Sequence, residues 1–368
     1  MADHSLLSTA TLPPVSGDRR IYFVSDIHLG DGSHADIFQK KDEAFLAFLD
    51  HVEQQADALV IVGDALDFDQ AWYFERILRA HRDVLTRLTN LADSMRVVYV
   101  YGNHDPDIVL FRDFLHFELC DKVVVDGHLL AVHGYEYDTY VGENFESSTF
   151  WARIWMLYES VFKTWVRLPL REHYTLSNRV AHYLFFHVAR ATRWMRSLGP
   201  RIGRPDLGRT LEDTVAFWTR GCLGDPMGLT RPVLQHLQAD PRWDTVVCGH
   251  SHIPGVVTTE QNKQYVNLGS WSFNNSQYGI WDGRKMVVRV WITGREFSDE
   301  NYRHIFEGRA DWTFEEWFHD QYLGYLRFRS GEEALRMGVR PRPWALPSRG
   351  PEHSLPTTEL VTRDVETS

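Results

Sequence analysis

The chain has 368 residues, 43% of them hydrophobic, and a formal net charge of −11. That length admits one or two domains with a large core and excludes a wholly disordered chain, while the acidic balance argues against a general nucleic-acid binder. Three scattered cysteines (Cys120, Cys222 and Cys248) form no C-x-x-C pair, residues 1–20 carry no apolar secretory core, and no apolar run reaches the roughly 18 residues that span a bilayer. The expected location is therefore the cytoplasm.

In chain order, residues 1–19 are polar and proline-containing and read as a flexible lead-in. Ile21 to Ser25 predicts a buried strand that delivers Asp26-Ile27-His28 at its end. Ala44, Phe45, Phe48, Leu49 and Val52 have helical spacing within 40–55. Leu59 to Val62 predicts a second strand ending in Gly63-Asp64, followed by a helical stretch over about 72–94. Val97 to Tyr101 then runs into Gly102-Asn103-His104-Asp105. Strand, polar loop, helix, strand is the pattern of an α/β sheet, in which chemistry gathers beyond the carboxyl ends of the strands. Val123 to Val125 and Leu129 to Val132 flank Asp126-Gly127, a hairpin signal, and the second of them ends in His133-Gly134.

From Phe150 to Pro205 the composition changes. Ten Lys or Arg face two Glu, a local excess of +8, among many Trp, Tyr and Phe. Residues 150–205 read as a basic, aromatic helical insertion that divides a core of 20–149 and 206–299. Thr245 to Cys248 predicts a strand leading into Gly249-His250-Ser251-His252, and Val256, Tyr265 to Leu268 and Met286 to Ile292 extend a β-rich second half. Thr313-Phe314-Glu315-Glu316 fits a capping box that opens an aromatic helix within a 300–339 extension. The proline-rich, polar residues 340–368 read as a disordered tail.

Five motifs carry chemistry: Asp26-x-His28, Gly63-Asp64-x-x-Asp67, Gly102-Asn103-His104-Asp105, His133-Gly134 and Gly249-His250-x-His252. Each follows a strand-like run. Their carboxylates, amide oxygen and imidazoles are hard or borderline ligands, suited to Mn²⁺, Fe²⁺ or Zn²⁺. In an extended segment residues i and i+2 project to one side, so Asp26 and His28 are expected to reach one metal together. His250 and His252 share that spacing, although a turn would send them to different metals. Glycine before each ligand set permits the sharp turn at a strand end. Asp31 and Asp105 are candidates for supporting the ligands, and Tyr135, Glu136 and Asp138 for lining the site. His34, His51, His81, His116 and His128 read as ordinary surface or core residues.

These motifs, in this order, resemble the calcineurin-like metallophosphoesterase superfamily over roughly residues 20–290 outside the insertion. The resemblance implies a four-layer α/β/β/α sandwich with an inserted helical cap. It implies two divalent metal ions, with Mn²⁺ the expected pair: one held by Asp26, His28, Asp64 and His252, the other by Asp64, Asn103, His133 and His250. His104 is then the catalytic histidine that is not a ligand, and Asp67 its orienting carboxylate. The implied reaction is in-line attack of an activated water on phosphorus, with His104 neutralising phosphoryl charge and protonating the leaving group.

Within the superfamily the chain is most similar to the bacterial UDP-2,3-diacylglucosamine hydrolase group, through Asp26-Ile27-His28-Leu29-Gly30, the His133-Gly134 motif and the helical insertion after it. That group usually carries Arg where this chain has His104. The similarity implies cleavage of the pyrophosphate of a lipid nucleotide, with peripheral contact of 150–205 at the inner membrane. Arginines suit the diphosphate, and Trp, Phe and Arg on one helix suit an anionic interface. The alternatives are a phosphodiesterase or phosphatase for soluble esters, a nuclease (disfavoured by the charge outside the insertion), and a non-enzymatic metal-bound scaffold.

Overall fold

A computed structural model describes residues 8–15, 20–38, 41–138, 141, 145–162, 187, 190–209, 229–252, 254–272, 275–292 and 294. The expected helical extension over 300–339 and the tail over 340–368 lie outside the described residues, as does much of 150–205. The described strands are β1 (Thr9–Leu12), β2 (Arg20–Val24), β3 (Ala56–Val62), β4 (Arg96–Val100), β5 (Glu118–Cys120), β6 (Lys122–Val125), β7 (Leu129–Ala131), β8 (Thr245–Cys248), β9 (Gly255–Thr258), β10 (Gln264–Asn267), β11 (Gln277–Trp281) and β12 (Met286–Val290). They form two six-stranded sheets, in the orders β12-β11-β2-β3-β4-β5 and β1-β6-β7-β8-β10-β9.

The side-chain alternation of each central strand explains the layering. On β3, Ala58, Val60 and Val62 point between the sheets, where they meet Ile21, Phe23, Val98, Val123, Ala131, Val247 and Val266. Leu59 and Ile61 point the other way, onto Phe45, Phe48, Leu49 and Val52 of α1 (Asp42–Gln55) and Val84, Leu85, Leu88 and Leu91 of a helix over Arg82–Ser94. Strands buried on both faces read as continuous apolar runs, and these do. The second sheet is covered on its outer face by the Thr230–Ala239 helix, whose Val233 and Leu237 pack on Leu130, Val246 and Tyr265. Two sheets face to face with helices outside give the expected α/β/β/α sandwich. Full burial of each such side chain contributes roughly 1.5–3 kcal/mol.

The structure departs from the sequence reading in four places. The lead-in contains β1, which pairs in parallel with β6 and buries Ala10 and Leu12 against the inter-sheet core. A four-residue alternation beside two prolines is too short a signal to read as a strand. β5 and β11 are further strands that the apolar pattern leaves unmarked. The stretch over 72–94 is not one helix: α2 (Phe68–Ala71) ends at Trp72, whose φ of 68° is left-handed, and α3 (Phe74–Ala80) ends at His81, where α4 (Arg82–Ser94) begins. His81 is buried between two carboxylates, its Nε2 2.8 Å from Asp36 and its Nδ1 2.7 Å from Asp42. That bridge fixes the break and puts His81 in the core, one of the two places the sequence allowed it. The hairpin signal holds: β6 and β7 are antiparallel, and Asp126 (φ 51°) and Gly127 (φ 74°) turn the corner.

Candidate metal centre

All five motifs leave the carboxyl ends of parallel strands. Asp26 and His28 follow β2, Asp64 follows β3 and Asn103 follows β4, all in one sheet; His133 follows β7, and His250 and His252 follow β8, in the other. The site therefore lies on the seam where the two sheets present the same ends. The β2 and β3 loops continue their pairing beyond the strands: Asp26 N donates to Gly63 O at 3.1 Å, His28 N to Asp64 O at 2.9 Å and Leu29 N to Ala65 O at 2.9 Å. The sheets are joined by His250 N, which donates to Asp26 Oδ2 at 3.0 Å, and by Trp271 N, which donates to Asp26 O at 3.0 Å.

The backbone at the motifs is not extended. Asp26 (φ 52°), His28 (φ 54°), Asp64 (φ 52°), His250 (φ 66°) and His252 (φ 60°) all lie in the left-handed region. Such conformations cost on the order of 1–3 kcal/mol per non-glycine residue and persist where the surroundings over-determine them. Asp26 and His28 do converge, but through two left-handed residues clipped to the β3 loop and not through alternation along a strand. The same geometry separates His250 from His252.

The side chains fall into two groups sharing Asp64. In the first, His28 Nε2 lies 3.0 Å from His252 Nε2, 3.8 Å from Asp26 Oδ1 and 3.9 Å from Asp64 Oδ2, and His252 Nε2 is 3.2 Å from Asp26 Oδ1. In the second, His133 Nε2 is 3.1 Å from Asp64 Oδ2 and 3.2 Å from Asn103 Oδ1, and Asn103 Oδ1 is 2.8 Å from His250 Nδ1. Lone-pair atoms aimed at one another are the donor set of a divalent cation. Asp26, His28 and His252, and separately Asp26, Asp64 and His133, lie close enough to share one ion. The residues present thus fit two cations.

Each imidazole is oriented by its other nitrogen, the arrangement that fixes tautomer and direction at metal sites. His133 Nδ1 donates to Val62 O at 2.8 Å, which turns Nε2 towards Asp64. His28 Nδ1 meets Asp67 Oδ2 at 3.2 Å, His252 Nδ1 meets Ser272 Oγ at 3.3 Å, and His250 Nε2 meets Asp138 Oδ2 at 3.3 Å. Asp67 reaches His104 as well, through Oδ1 at 3.3 Å from Nδ1. Burial alone would push His28 down, but hydrogen bonds to Asp26 and Asp67 and the charges of Asp67 and Asp64 raise it to about 10. His133 is likewise depressed by burial and, against that, raised to about 10 by Asp64. For Asp64, burial is overridden by His133 and His104, which hold its carboxyl low. The centre concentrates negative charge that draws protons onto the imidazoles, and a bound cation would take their place.

Glycine matters here for room as much as for turning. A Cβ on Gly102 would strike the Asp64 carboxylate, and one on Gly249 would strike Ser25 Oγ and Asp26 Oδ2. Neither residue has positive φ, so the turn explanation from sequence applies to Gly63 (φ 80°) and not to these two. Asp105 supports the centre from below: it accepts from Ala65 N at 2.9 Å, Gly102 N at 2.5 Å and Tyr99 Oη at 2.5 Å, tying the β3 and β4 loops together. Asp31 instead pairs with Gln70 Nε2 at 2.6 Å and lies outside both ligand groups.

The model of the calcineurin-like phosphoesterase family matches residues 19–254 of this sequence. The chain belongs to that family. The phosphoesterase is 25% identical over 278 residues to a UDP-2,3-diacylglucosamine hydrolase of Porphyromonas gingivalis, a match covering 73% of this chain and 96% of that protein. Among solved structures it is similar to a dimetal phosphatase from Danio rerio, at 13% identity and a TM-score of 0.37 over 75% of this chain and 96% of that one. It is also similar to a phosphopantetheinyl hydrolase from Mycobacterium tuberculosis, at 15% identity and a TM-score of 0.26 over 70% and 91%. As a member of its family the protein is a metal-dependent phosphoester hydrolase.

Several residues of the site carry no signal in sequence. Ser25, whose Oγ lies 2.5 Å from Asp26 Oδ2, and Ser272, which faces His252, are single polar residues at strand ends. Asp138 is marked in sequence only as a lining residue, yet it orients His250. Asp69 and Arg153 are unmarked as site residues. Asp69 is buried, with Oδ2 3.5 Å from His104 Nδ1 and Oδ1 accepting from Arg153 Nε at 3.0 Å. Arg153 belongs to the Phe145–Phe162 helix, which lies against α2.

Proposed function

We propose that this phosphoesterase holds two divalent cations, Mn²⁺ by family resemblance, through Asp26, His28, Asp64 and His252 on one side and Asp64, Asn103, His133 and His250 on the other. The observation that carries this reading is the division of seven side chains into two facing groups with Asp64 Oδ2 common to both. A carboxylate serves as a bridge because each oxygen has more than one lone pair. When bound, such a pair of cations supplies Lewis acidity and an activated water near neutral pH.

His104 is the general acid in this reading. Its Nδ1 faces Asp67, which leaves Nε2 to hand a proton to the departing oxygen as the P–O bond breaks. Burial lowers its proton affinity and Asp64, Asp67 and Asp69 raise it, with a net rise above the usual histidine value. Asp67 fixes the ring, and because it also holds His28 it couples the acid to the metal side. Help of this kind contributes about 10²–10⁴-fold to rate.

The substrate in this reading is a nucleoside diphosphate linked to a diacyl sugar, split at the pyrophosphate into UMP and a lipid phosphate. It rests on the match to the P. gingivalis hydrolase along nearly all of that protein's length. The Phe145–Phe162 helix supports it: Phe150, Ile154, Leu157 and Val161 are exposed at helical spacing, with Trp72 and Tyr73 exposed beside α2. Such a stripe suits acyl chains or a lipid surface, consistent with a peripheral protein, since no helix among the described residues is long and apolar enough to cross a membrane. The test is hydrolysis of UDP-diacylglucosamine by Mn²⁺-loaded protein with products weighed by mass spectrometry. Release of UMP and the lipid phosphate, abolished by EDTA, is the expected result. Cleavage of a bis-aryl phosphodiester alone would keep the two-metal enzyme and reject the lipid nucleotide.

A further inference from the structure

His104 Nδ1 is flanked by two carboxylates: Asp67 Oδ1 at 3.3 Å and Asp69 Oδ2 at 3.5 Å. They come from one turn, α2, which Asp67 caps by accepting from Gln70 N at 2.9 Å. The turn grips His104 through the main chain too, since Phe68 N donates to His104 O at 3.2 Å. Asp69 is buried beside another carboxylate, so its charge needs a partner besides the imidazole. Arg153 Nε provides it at 3.0 Å. Arg153 is 84 residues distant in sequence and sits on the Phe145–Phe162 helix, the same helix that exposes the apolar stripe.

We propose that Asp69 and Arg153 are positioning residues that make the aim of His104 depend on the seating of the Phe145–Phe162 helix. The proposal rests on the reading of His104 as the general acid. Asp67 alone holds the imidazole at one point and leaves it free to swing about that bond. A second carboxylate charge beside the same nitrogen narrows the swing and directs Nε2. Asp69 stays in place beside the imidazole because Arg153 offsets its charge. A ligand that engages the apolar stripe presses on the helix that carries Arg153, so occupancy of the lipid side and readiness of the acid share one connection. Neither residue touches the reacting atoms. Their effect is confined to steps in which His104 delivers its proton.

The experiment measures kcat and KM of Mn²⁺-loaded full-length protein on two esters of uridine monophosphate, the 4-nitrophenyl and the phenyl. Nitrophenolate departs without a proton, whereas phenolate needs one. His104→Ala should lose about 10²–10⁴-fold in kcat on the phenyl ester and far less on the nitrophenyl ester. Asp69→Asn and Arg153→Ala should each lose about tenfold in kcat on the phenyl ester, with kcat on the nitrophenyl ester and both KM values within about twofold. Arg153→Lys keeps a charge near Asp69 and should recover most of the loss. The double variant should be no worse than either single change, because the two act as one unit. Asp69→Asn is isosteric and Arg153 is partly exposed, so both variants should fold; metal content and melting temperature verify this. Equal loss on both esters, or no loss on either, with His104→Ala still selective for the phenyl ester, overturns the positioning role alone. If His104→Ala is itself indifferent to the leaving group, the acid reading fails and the positioning role falls with it.

Discussion

Seven side chains from five separate loops meet in the candidate metal centre, and Asp26, His28, Asp64, His133, His250 and His252 are each held by a partner outside the seven. The Phe145–Phe162 helix is eighteen consecutive residues that lie beside the same centre, expose a row of apolar side chains and reach it through the Arg153–Asp69 ion pair. The first arrangement tolerates almost no change, because left-handed backbone, packed glycines and oriented imidazoles all serve one geometry. The second leaves one apolar stripe (Phe150, Ile154, Leu157 and Val161) exposed. On the proposed reading, the bond-breaking chemistry belongs to the sandwich and selection of the phosphoester to the insertion.

The contrast breaks most sharply at Asp64. Asp64→Ala removes the residue common to both groups, and we expect loss of both metals and a fall in turnover of at least about 10³-fold, read by metal analysis and steady-state kinetics. Gly102→Ala should approach the same loss without changing any ligand, because its methyl would occupy the place of the Asp64 carboxylate. Tight metal binding by Gly102→Ala would show that the centre adapts and is less rigid than described. His104→Ala should keep its metals and lose about 10²–10⁴-fold in turnover on a poor leaving group.

Changes in the helix should act differently. Phe150 and Leu157 are 58% and 54% exposed, so replacing both with Ser should leave stability nearly unchanged. We expect turnover of a detergent-dispersed lipid nucleotide to fall about tenfold, with a soluble diester unaffected. Equal effects on both substrates would remove the distinction between the two regions.

The smallest effect belongs to neither region. Burial would lower the proton affinity of His81, but its bonds to Asp36 and Asp42 raise it to about 9. A folded value above the unfolded 6.5 stabilises the protein fully below about pH 6.5, and that contribution fades as pH rises through about 9. It is on the order of 3 kcal/mol as an upper bound. The melting temperature of the wild type should therefore fall between pH 6 and pH 9.5 by more than that of His81→Asn.

The convergence of the candidate ligands is legible in sequence because strand-end motifs need no long-range information: Asp26-x-His28 and Gly249-His250-x-His252 announce themselves locally. The extended alternation expected for Asp26 and His28 does not hold, since φ is not visible in a residue list and both are left-handed, whereas the turn allowed for His250 and His252 is present. The supporting residues are legible only in part: Asp105 and Asp138 stand beside motifs and are marked, and Asp105 does support the centre. Ser272, Asp69 and Arg153 are common types whose meaning comes from what lies opposite them in space. The α/β pattern follows from apolar periodicity, and the four layers from the family resemblance. β1 escaped because four residues hold too little pattern, and the 72–94 break escaped because His81 is decided by two distant aspartates.

The most direct test of the two-metal centre is metal stoichiometry, by elemental analysis and native mass spectrometry of Mn²⁺-loaded protein, with Asp64→Ala alongside. The geometry predicts two ions per chain in the wild type, and neither retained in Asp64→Ala, together with loss of turnover. A single ion per chain in fully active wild-type protein would contradict it.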